Sequence, residues 1–147
     1  MIVYRKLGVV SRRTIHIFLS GLTSELEHWR ERSINKKTGK FHVRSHIQGY
    51  GVFDGNKMIA LGYFYLLKEF DVPTANVSIV VKKEYQNQKI GARLYILLEV
   101  MAKKRRIKRF HATHDIDNEI ISRSILRRGW KTVESTKSLC VIEKELK

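Results

Sequence analysis

The chain has 147 residues, of which 43% are apolar, so it is large enough to bury a core and bulk disorder is excluded. No uncharged stretch reaches the length of a transmembrane helix, and Arg5 and Lys6 interrupt the apolar start, so neither a membrane span nor a signal peptide is expected. The single cysteine, Cys140, cannot form an internal disulfide and suits a reducing interior. We therefore expect a cytoplasmic protein that forms one domain over residues 1–147.

Positive charge is the strongest feature of the composition. Twenty-nine Lys and Arg against fourteen Asp and Glu give a net charge of +15, which attracts polyanions such as nucleic acid, ribosomes or phosphorylated cofactors. The charge is densest over residues 103–109, where six of seven residues are basic: Lys103, Lys104, Arg105, Arg106, Lys108 and Arg109. This segment predicts either a solvated helix end or a contact with nucleic acid or the ribosome.

The chain begins with a predicted strand and a predicted helix. Residues 2–7 are apolar and rich in β-formers, which indicates a strand. Residues 11–30 predict a long amphipathic helix with Ser11 or Thr14 as its N-cap. The apolar residues that recur there at helical spacing are Ile15, Phe18, Leu19, Leu22, Leu26 and Trp29.

A loop and three strands follow in the prediction. Residues 33–46 are polar and basic, which favours an exposed loop. The predicted strands cover residues 48–53, 57–67 and 75–82. Asp54, Gly55 and Asn56 form a strong tight-turn signal between the first two strands.

The second half predicts two helices among three strands. One helix carries an apolar face made of Ile90, Leu94, Leu97, Leu98 and Met101. The other begins near Asp117 or Asn118 and ends at Gly129. The predicted strands cover residues 108–114, 130–134 and 138–144, the last two as an antiparallel pair.

The segment between the strand at residues 75–82 and the following helix carries the clearest sign of a binding site. A strand that ends in such a turn points several backbone N–H groups outward, and the helix behind it adds the positive end of its dipole. This arrangement predicts a cradle for a pyrophosphate, which Gly91 and Ala92 allow to approach the backbone closely.

The same segment resembles the GNAT superfamily of N-acetyltransferases, which has a Val-x-Pro-x-Tyr-Arg/Gln-x-x-Gly-x-Gly/Ala turn after its fourth strand. The residues that match this turn in register are Val81, Tyr85, Gln86, Gly91 and Ala92. A second family motif, Asn-x-x-Ala-x-x-x-Tyr-x-x-x-Gly-Phe, is similar to the segment with Asn118, Gly129 and Trp130. In element order the resemblance covers the whole chain.

The resemblance implies an α/β (α+β) fold in which helices flank a mixed, mostly antiparallel sheet and acetyl-CoA lies between splayed fourth and fifth strands. It also implies direct transfer of the acetyl group to a primary amine in a ternary complex, with no metal. The residues implied to bind acetyl-CoA are Ile79, Val80, Val81, Gln86, Asn87, Gln88, Lys89, Ile90, Gly91, Ala92 and Asn118.

Three residues depart from the family pattern. Lys83 stands at the proline position and Lys89 at the first glycine position of the turn. If the backbone at Lys89 has a positive φ, a non-glycine residue there costs on the order of 1 kcal/mol. Ile125 replaces the tyrosine that protonates the departing thiolate, so water or Ser124 would have to substitute for it.

The general base is also not the family's usual one. Family members often use a carboxylate on the fourth strand, where this chain offers only Ser78. The nearest titratable candidates are His111 and His114, with Asp115 after them. His114 is either a hydrogen-bonded core residue or the base, and we take it with Ser124 as the catalytic candidates.

Two functions are therefore compared. The leading one is an acetyl-CoA-dependent N-acetyltransferase whose amine acceptor the sequence does not identify. The alternative is a GNAT-shaped module that has lost catalysis and binds nucleic acid or ribosomes through its basic surface. No membrane partner is expected, and the sequence leaves a homodimer open.

Overall fold

A mixed sheet of seven strands forms the framework of the protein. The computed structural model describes residues 1–22, 46–115, 129–137 and 139–147, except for the side chains of residues 114, 115 and 139. The elements in this part are β1 (Ile2–Lys6), α1 (Arg12–Ser20), β2 (Gln48–Asp54), β3 (Lys57–Leu67), β4 (Thr74–Val81), α2 (Ile90–Lys104), β5 (Arg109–Asp115), β6 (Lys131–Ser135) and β7 (Leu139–Glu145).

The strand order is β1-β2-β3-β4-β5-β7-β6. Strands β4 and β5 are parallel, whereas β1–β2, β2–β3, β5–β7 and β6–β7 are antiparallel pairs. The parallel pairing joins residues 74–76 of β4 to residues 109–111 of β5. This mixed, mostly antiparallel sheet with its helices confirms the predicted fold class.

Most of the predicted elements lie within one or two residues of their observed bounds, but the first helix is shorter than expected. The N-cap prediction is confirmed, because the Ser11 side chain accepts a hydrogen bond from the Thr14 N–H at 3.1 Å. The helix ends at Ser20 because Gly21, a poor helix former, follows it. The rest of the predicted helix, the loop after it and the helix predicted after Asn118 lie outside the described residues, apart from Leu22 and His46.

Two compact units make up the chain: Met1–Phe64 with Ser78–Leu98, and Tyr65–Val77 with Glu99–Lys147. The single domain over residues 1–147 stays a prediction. In the helices that the structure describes, no segment is both long and apolar enough to cross a membrane.

In the first unit, β4 contributes to two apolar clusters in alternation. Val80 belongs to the cluster that contains Phe18 and Leu19 of α1. Ile79 and Val81 pack against the other cluster, which contains residues of α2 and of strands β2 and β3: Ile90, Leu94, Val52, Ile59 and Ala60. The period of two along β4 thus fixes the end of the strand from both sides, directly before the turn that leads into α2.

In the second unit, β5 pairs with β7 along its whole length. Phe110 of β5 is fully buried, and its ring stacks on that of Trp130 at 6.3 Å between centroids. Lys144 of β7 forms an ion pair with Glu99 of α2 at 3.3 Å, and both side chains are mostly buried.

Candidate functional site

The segment between β4 and α2 has a defined shape, although its side chains are mostly exposed. The Gln86 side-chain amide donates to the Val81 carbonyl at 3.0 Å, and the Lys82 N–H donates to the Ile59 carbonyl at 2.9 Å. A short 3-10 turn, Lys83–Tyr85, follows directly after β4. These bonds hold the start of the segment against β3 and β4, so residues 86–92, which we call the anion turn, begin from a fixed position.

A tyrosine of the family motif connects this segment to the hairpin between β2 and β3. The Tyr85 hydroxyl donates to Oδ2 of Asp54 at 2.8 Å. This bond lowers the pKa of the Asp54 carboxyl below its ordinary value, and it raises the pKa of the Tyr85 hydroxyl. Sequence reasoning assigned Asp54 only to a tight turn. Its side-chain role requires the pairing of β2 with β3, which places that turn beside Tyr85.

Most backbone N–H groups of the anion turn have no acceptor among the described residues; the exception is Gln86, whose N–H donates to the Lys83 carbonyl at 3.2 Å. The first hydrogen bond of α2 runs from the Arg93 N–H to the Lys89 carbonyl at 3.0 Å. In the part of the chain that the structure describes, no backbone acceptor faces the N–H groups of residues 87–92. Together with the positive end of the α2 dipole, these donors favour an anion at this position.

Two residues of the anion turn have left-handed backbone conformations, and neither is a glycine. Asn87 has φ of 63° and Lys89 has φ of 64°. The condition stated for Lys89 is therefore met, since its backbone has a positive φ. Asparagine tolerates this conformation well, but lysine does so at a cost on the order of 1 kcal/mol. Left-handed residues in a turn can direct neighbouring N–H groups toward one point, which is a feature of anion-binding nests.

Gly91 has no structural reason to be a glycine. Its φ is not positive, and a Cβ atom there would meet only Cγ2 of Val81 at 3.7 Å, which is an ordinary contact. A glycine in a helix is less stable than an alanine by roughly 0.5–1 kcal/mol. The missing side chain therefore leaves open space beside the unpaired N–H groups, where a ligand can approach the backbone.

The end of β4 carries the other predicted binding residues. Ile79, Val80 and Val81 lie beyond Asn76, the last residue of β4 that pairs with β5. Val80 is buried, whereas Ile79 and Val81 are half-buried. Their backbone groups on that edge are thus outside the β4–β5 ladder.

The side chains of the catalytic candidates lie outside the described part of the structure. His114 lies in β5, where its backbone pairs with Cys140, but its side chain lies outside the described part. Ser124, Asn118 and Ile125 lie outside it as well. Their roles stay predictions.

The other histidine of β5 has a carboxylate partner that the sequence did not reveal. His111 Nδ1 lies 3.1 Å from Oε2 of Glu143, and the two side chains are only 18% and 17% exposed. The Phe70 ring lies 5.4 Å from the imidazole, between centroids. His111 and Glu143 are register partners in the β5–β7 pair, so only the register could have identified Glu143.

No group of three or more His, Cys, Asp or Glu side chains in the described ranges could hold a metal ion.

Comparison with known proteins assigns the family. The model of the acetyltransferase (GNAT) family matches residues 15–129, which is most of the chain. The chain therefore belongs to the GNAT acetyltransferase family. No curated protein matches the chain.

Solved structures show the same fold. The GNAT domain of S. lividans PAT has a TM-score of 0.74 at 17% identity, over 97% of this chain and 89% of that one. The ribosomal-protein-S18-alanine N-acetyltransferase from Escherichia coli has a TM-score of 0.71 at 12% identity, over 99% and 94%. PaiA N-acetyltransferase from Thermoplasma acidophilum, solved in complex with coenzyme A, has a TM-score of 0.59 at 22% identity. That match covers 67% of this chain and 60% of the PaiA chain.

Proposed function

We propose that the protein transfers an acetyl group from acetyl-CoA to a primary amine, and that the anion turn binds the pyrophosphate of acetyl-CoA. The proposal rests on the backbone N–H groups of residues 87–92, which have no backbone acceptor in the described structure, and on the space that Gly91 leaves beside them. A pyrophosphate offers acceptor oxygens and negative charge, which match these donors and the helix dipole. Membership of the family and a structural relative solved with coenzyme A support the same ligand.

The remaining contacts to acetyl-CoA follow from the end of β4. Ile79, Val80 and Val81 are outside the β4–β5 ladder, so their backbone groups can bond the pantetheine arm as an added strand would. An N–H group near Val81 would then stabilise the negative charge that the thioester oxygen gains in the transition state. Asn118 completes the proposed binding set.

The reaction needs two proton transfers. The amine nitrogen, after losing a proton, attacks the thioester carbonyl carbon. As the carbon–sulfur bond breaks to release the thiolate of coenzyme A, the nitrogen loses a second proton, which passes through water or Ser124 to the thiolate. We assign the first transfer to His114, whose ordinary pKa of about 6.5 suits a base near neutral pH. The thiolate is a good leaving group, with a pKa of about 8.5 by analogy with cysteine. Water or Ser124 therefore suffices to protonate it where the family has a tyrosine.

Calorimetric titration with acetyl-CoA tests the assignment of the anion turn. Gly91→Ala should raise the free energy of unfolding by up to about 1 kcal/mol, because glycine has greater freedom in the unfolded chain. The same change should lower acetyl-CoA affinity by about tenfold, or 1.4 kcal/mol, and Gly91→Trp should abolish binding. The opposite signs separate a ligand effect from a folding defect.

Gly8→Ala is the matched control, since a Cβ atom there meets no neighbour within 4 Å and one at Gly91 meets only an ordinary contact. It should leave acetyl-CoA binding unchanged. Full affinity in folded Gly91→Ala and Gly91→Trp proteins would show that the pyrophosphate does not bind at this turn. Release of free thiol from acetyl-CoA only when an amine is present would support the transfer reaction.

A further inference from the structure

The end of α2 is a rigid turn that has an arginine where a glycine is favoured. The Arg106 N–H donates to the Lys103 carbonyl and the Ile107 N–H to the Ala102 carbonyl, each at 3.0 Å. These two bonds form a Schellman motif, in which the first residue after the C-cap is left-handed and usually glycine. Here that residue is Arg106, with φ of 61°. The next residue, Ile107, is buried and fixes the turn to the protein.

An arginine is not what helix termination alone favours at this position. A side chain on a left-handed residue crowds the adjacent carbonyl, so glycine would be the more stable residue. Cations near a helix C-terminus do complement the dipole, but Lys103 and Lys104 already occupy the last turn of α2. Arg106 therefore places a positive charge at a position where the backbone conformation favours glycine.

Four cations around this turn are free of carboxylate partners in the described part of the chain. Lys103 lies 3.5 Å from Glu99, and Arg109 lies 2.6 Å from Glu145, so acidic side chains neutralise both. The other four side chains are exposed and form no ion pair with a described residue. We call these four the basic turn: Lys104, Arg105, Arg106 and Lys108.

We propose that the basic turn binds the phosphate backbone of duplex nucleic acid. Four cations within five residues, without carboxylate partners among the described residues and on a hydrogen-bonded turn, suit a closely spaced row of phosphates. The basic turn contains no aromatic residue on which an unpaired base could stack, which disfavours single strands. Its one interleaved apolar residue, Ile107, is buried, so it has no apolar side chain of its own to insert into a lipid surface.

The proposed binding does not depend on the nucleotide sequence of the duplex. The cations lie at a helix end and in the turn after it, where they can neutralise phosphates. The affinity should then depend steeply on salt, because each neutralised phosphate releases counterions. This function is separate from acetyl transfer and does not depend on it.

Fluorescence anisotropy with a short labelled RNA duplex and a DNA duplex of the same length tests the proposal across a salt series. The triple variant Lys104→Gln, Arg105→Gln and Lys108→Gln should flatten the slope of log K against log salt by about two to three, at roughly 0.9 per phosphate contact. The control variant Lys6→Gln, Arg13→Gln and Lys131→Gln removes the same charge from exposed positions on β1, α1 and β6. It should change the slope by less than about one.

Arg106→Gly separates a binding role from a structural one. The variant should melt at a higher temperature, because glycine relieves the left-handed strain, and should bind the duplex more weakly with a slope flatter by about 0.9. Absence of duplex binding at low salt, or equal losses in the triple variant and its control, would overturn the proposal. Tighter binding to a single strand of the same length, or to anionic phosphatidylserine vesicles, would overturn it as well.

Discussion

Lys89 and Asn87 share a left-handed backbone conformation in the anion turn, but they contribute differently to it. Both residues carry the strain of a side chain at positive φ, which is smaller for asparagine than for lysine. Only Lys89 adds a positive charge beside the unpaired N–H groups. We infer that its ammonium group compensates for the strain by attracting the phosphates of acetyl-CoA.

Replacing Lys89 by glycine should therefore stabilise the free protein and weaken its complex. Lys89→Gly should raise the free energy of unfolding by about 1 kcal/mol, measured by urea denaturation. It should also reduce acetyl-CoA affinity, measured by calorimetry, because a charge-assisted contact is lost. Asn87→Gly is the matched control: it relieves the same kind of strain, removes no charge and should bind acetyl-CoA normally. Equal affinity in both variants would mean that the Lys89 ammonium does not contact the ligand.

The two histidines of β5 differ in their expected roles. His111 is held by Glu143 and Phe70 and is mostly buried, which is typical of a structural residue. In His111→Gln we expect a loss of stability of about 0.5–1.5 kcal/mol from the lost hydrogen bond. His114→Gln should instead lower kcat by about 10²–10⁴, which is the usual contribution of a general base.

Steady-state kinetics and urea denaturation of the two variants provide the comparison. The acidic limb of the pH–kcat profile should disappear in His114→Gln and persist in His111→Gln. If only His111→Gln loses both activity and that limb, His114 is not the base and the His111–Glu143 pair takes its place.

At the scale of elements, the β2–β3 hairpin supports the start of the anion turn through a side-chain hydrogen bond. The Tyr85 hydroxyl donates to Asp54, the last residue of β2. Because this bond favours the charged carboxylate, the folded pKa of Asp54 lies below its value in the unfolded chain. The stabilisation is present above the unfolded pKa of about 3.9 and is lost as the pH falls through the lower folded value.

The contribution of this bond should therefore depend on pH in a defined direction. Tyr85→Phe should be less stable than the unmodified protein at neutral pH, and the difference should vanish below the folded pKa of Asp54. It should also shrink above about pH 10, as the pH passes the raised folded pKa of Tyr85. Tyr50→Phe is a suitable control, since the Tyr50 hydroxyl makes no side-chain hydrogen bond within the described ranges. A stability difference that stays constant from acidic to neutral pH would argue against the Tyr85–Asp54 bond.

The elements also show which structural features a sequence pattern can predict. The tight-turn signal at residues 54–56 and the apolar face of α2 predicted the β2–β3 connection and that helix, because each is a local pattern of residue types. The first helix ends earlier than predicted, since the apolar spacing includes Leu22 whereas α1 ends at Ser20. The Asp54–Tyr85 and His111–Glu143 contacts could not be predicted, because they depend on strand register, which one sequence does not specify.

At the scale of the whole molecule, the family and fold were predictable while the chemistry was only partly so. The anion turn leaves a local signature in the sequence, because Tyr85 and Gln86 hold its start through side-chain hydrogen bonds and Gly91 leaves space beside the backbone N–H groups. The proposed general base, His114, has no comparable local signature in the sequence, since its role depends on where β5 places its side chain. The excess of 15 positive charges in turn indicates polyanionic ligands without saying where they bind.

Binding of acetyl-CoA at the anion turn is tested most directly by a titration of the ¹⁵N-labelled protein with acetyl-CoA, followed by the backbone amide signals. We expect the largest shifts at residues 87–92, whose N–H groups have no backbone acceptor in the described structure, and we expect Gly91→Trp to remove them. Binding that leaves these six amides unchanged while others shift, or no binding at all, would contradict the proposed site.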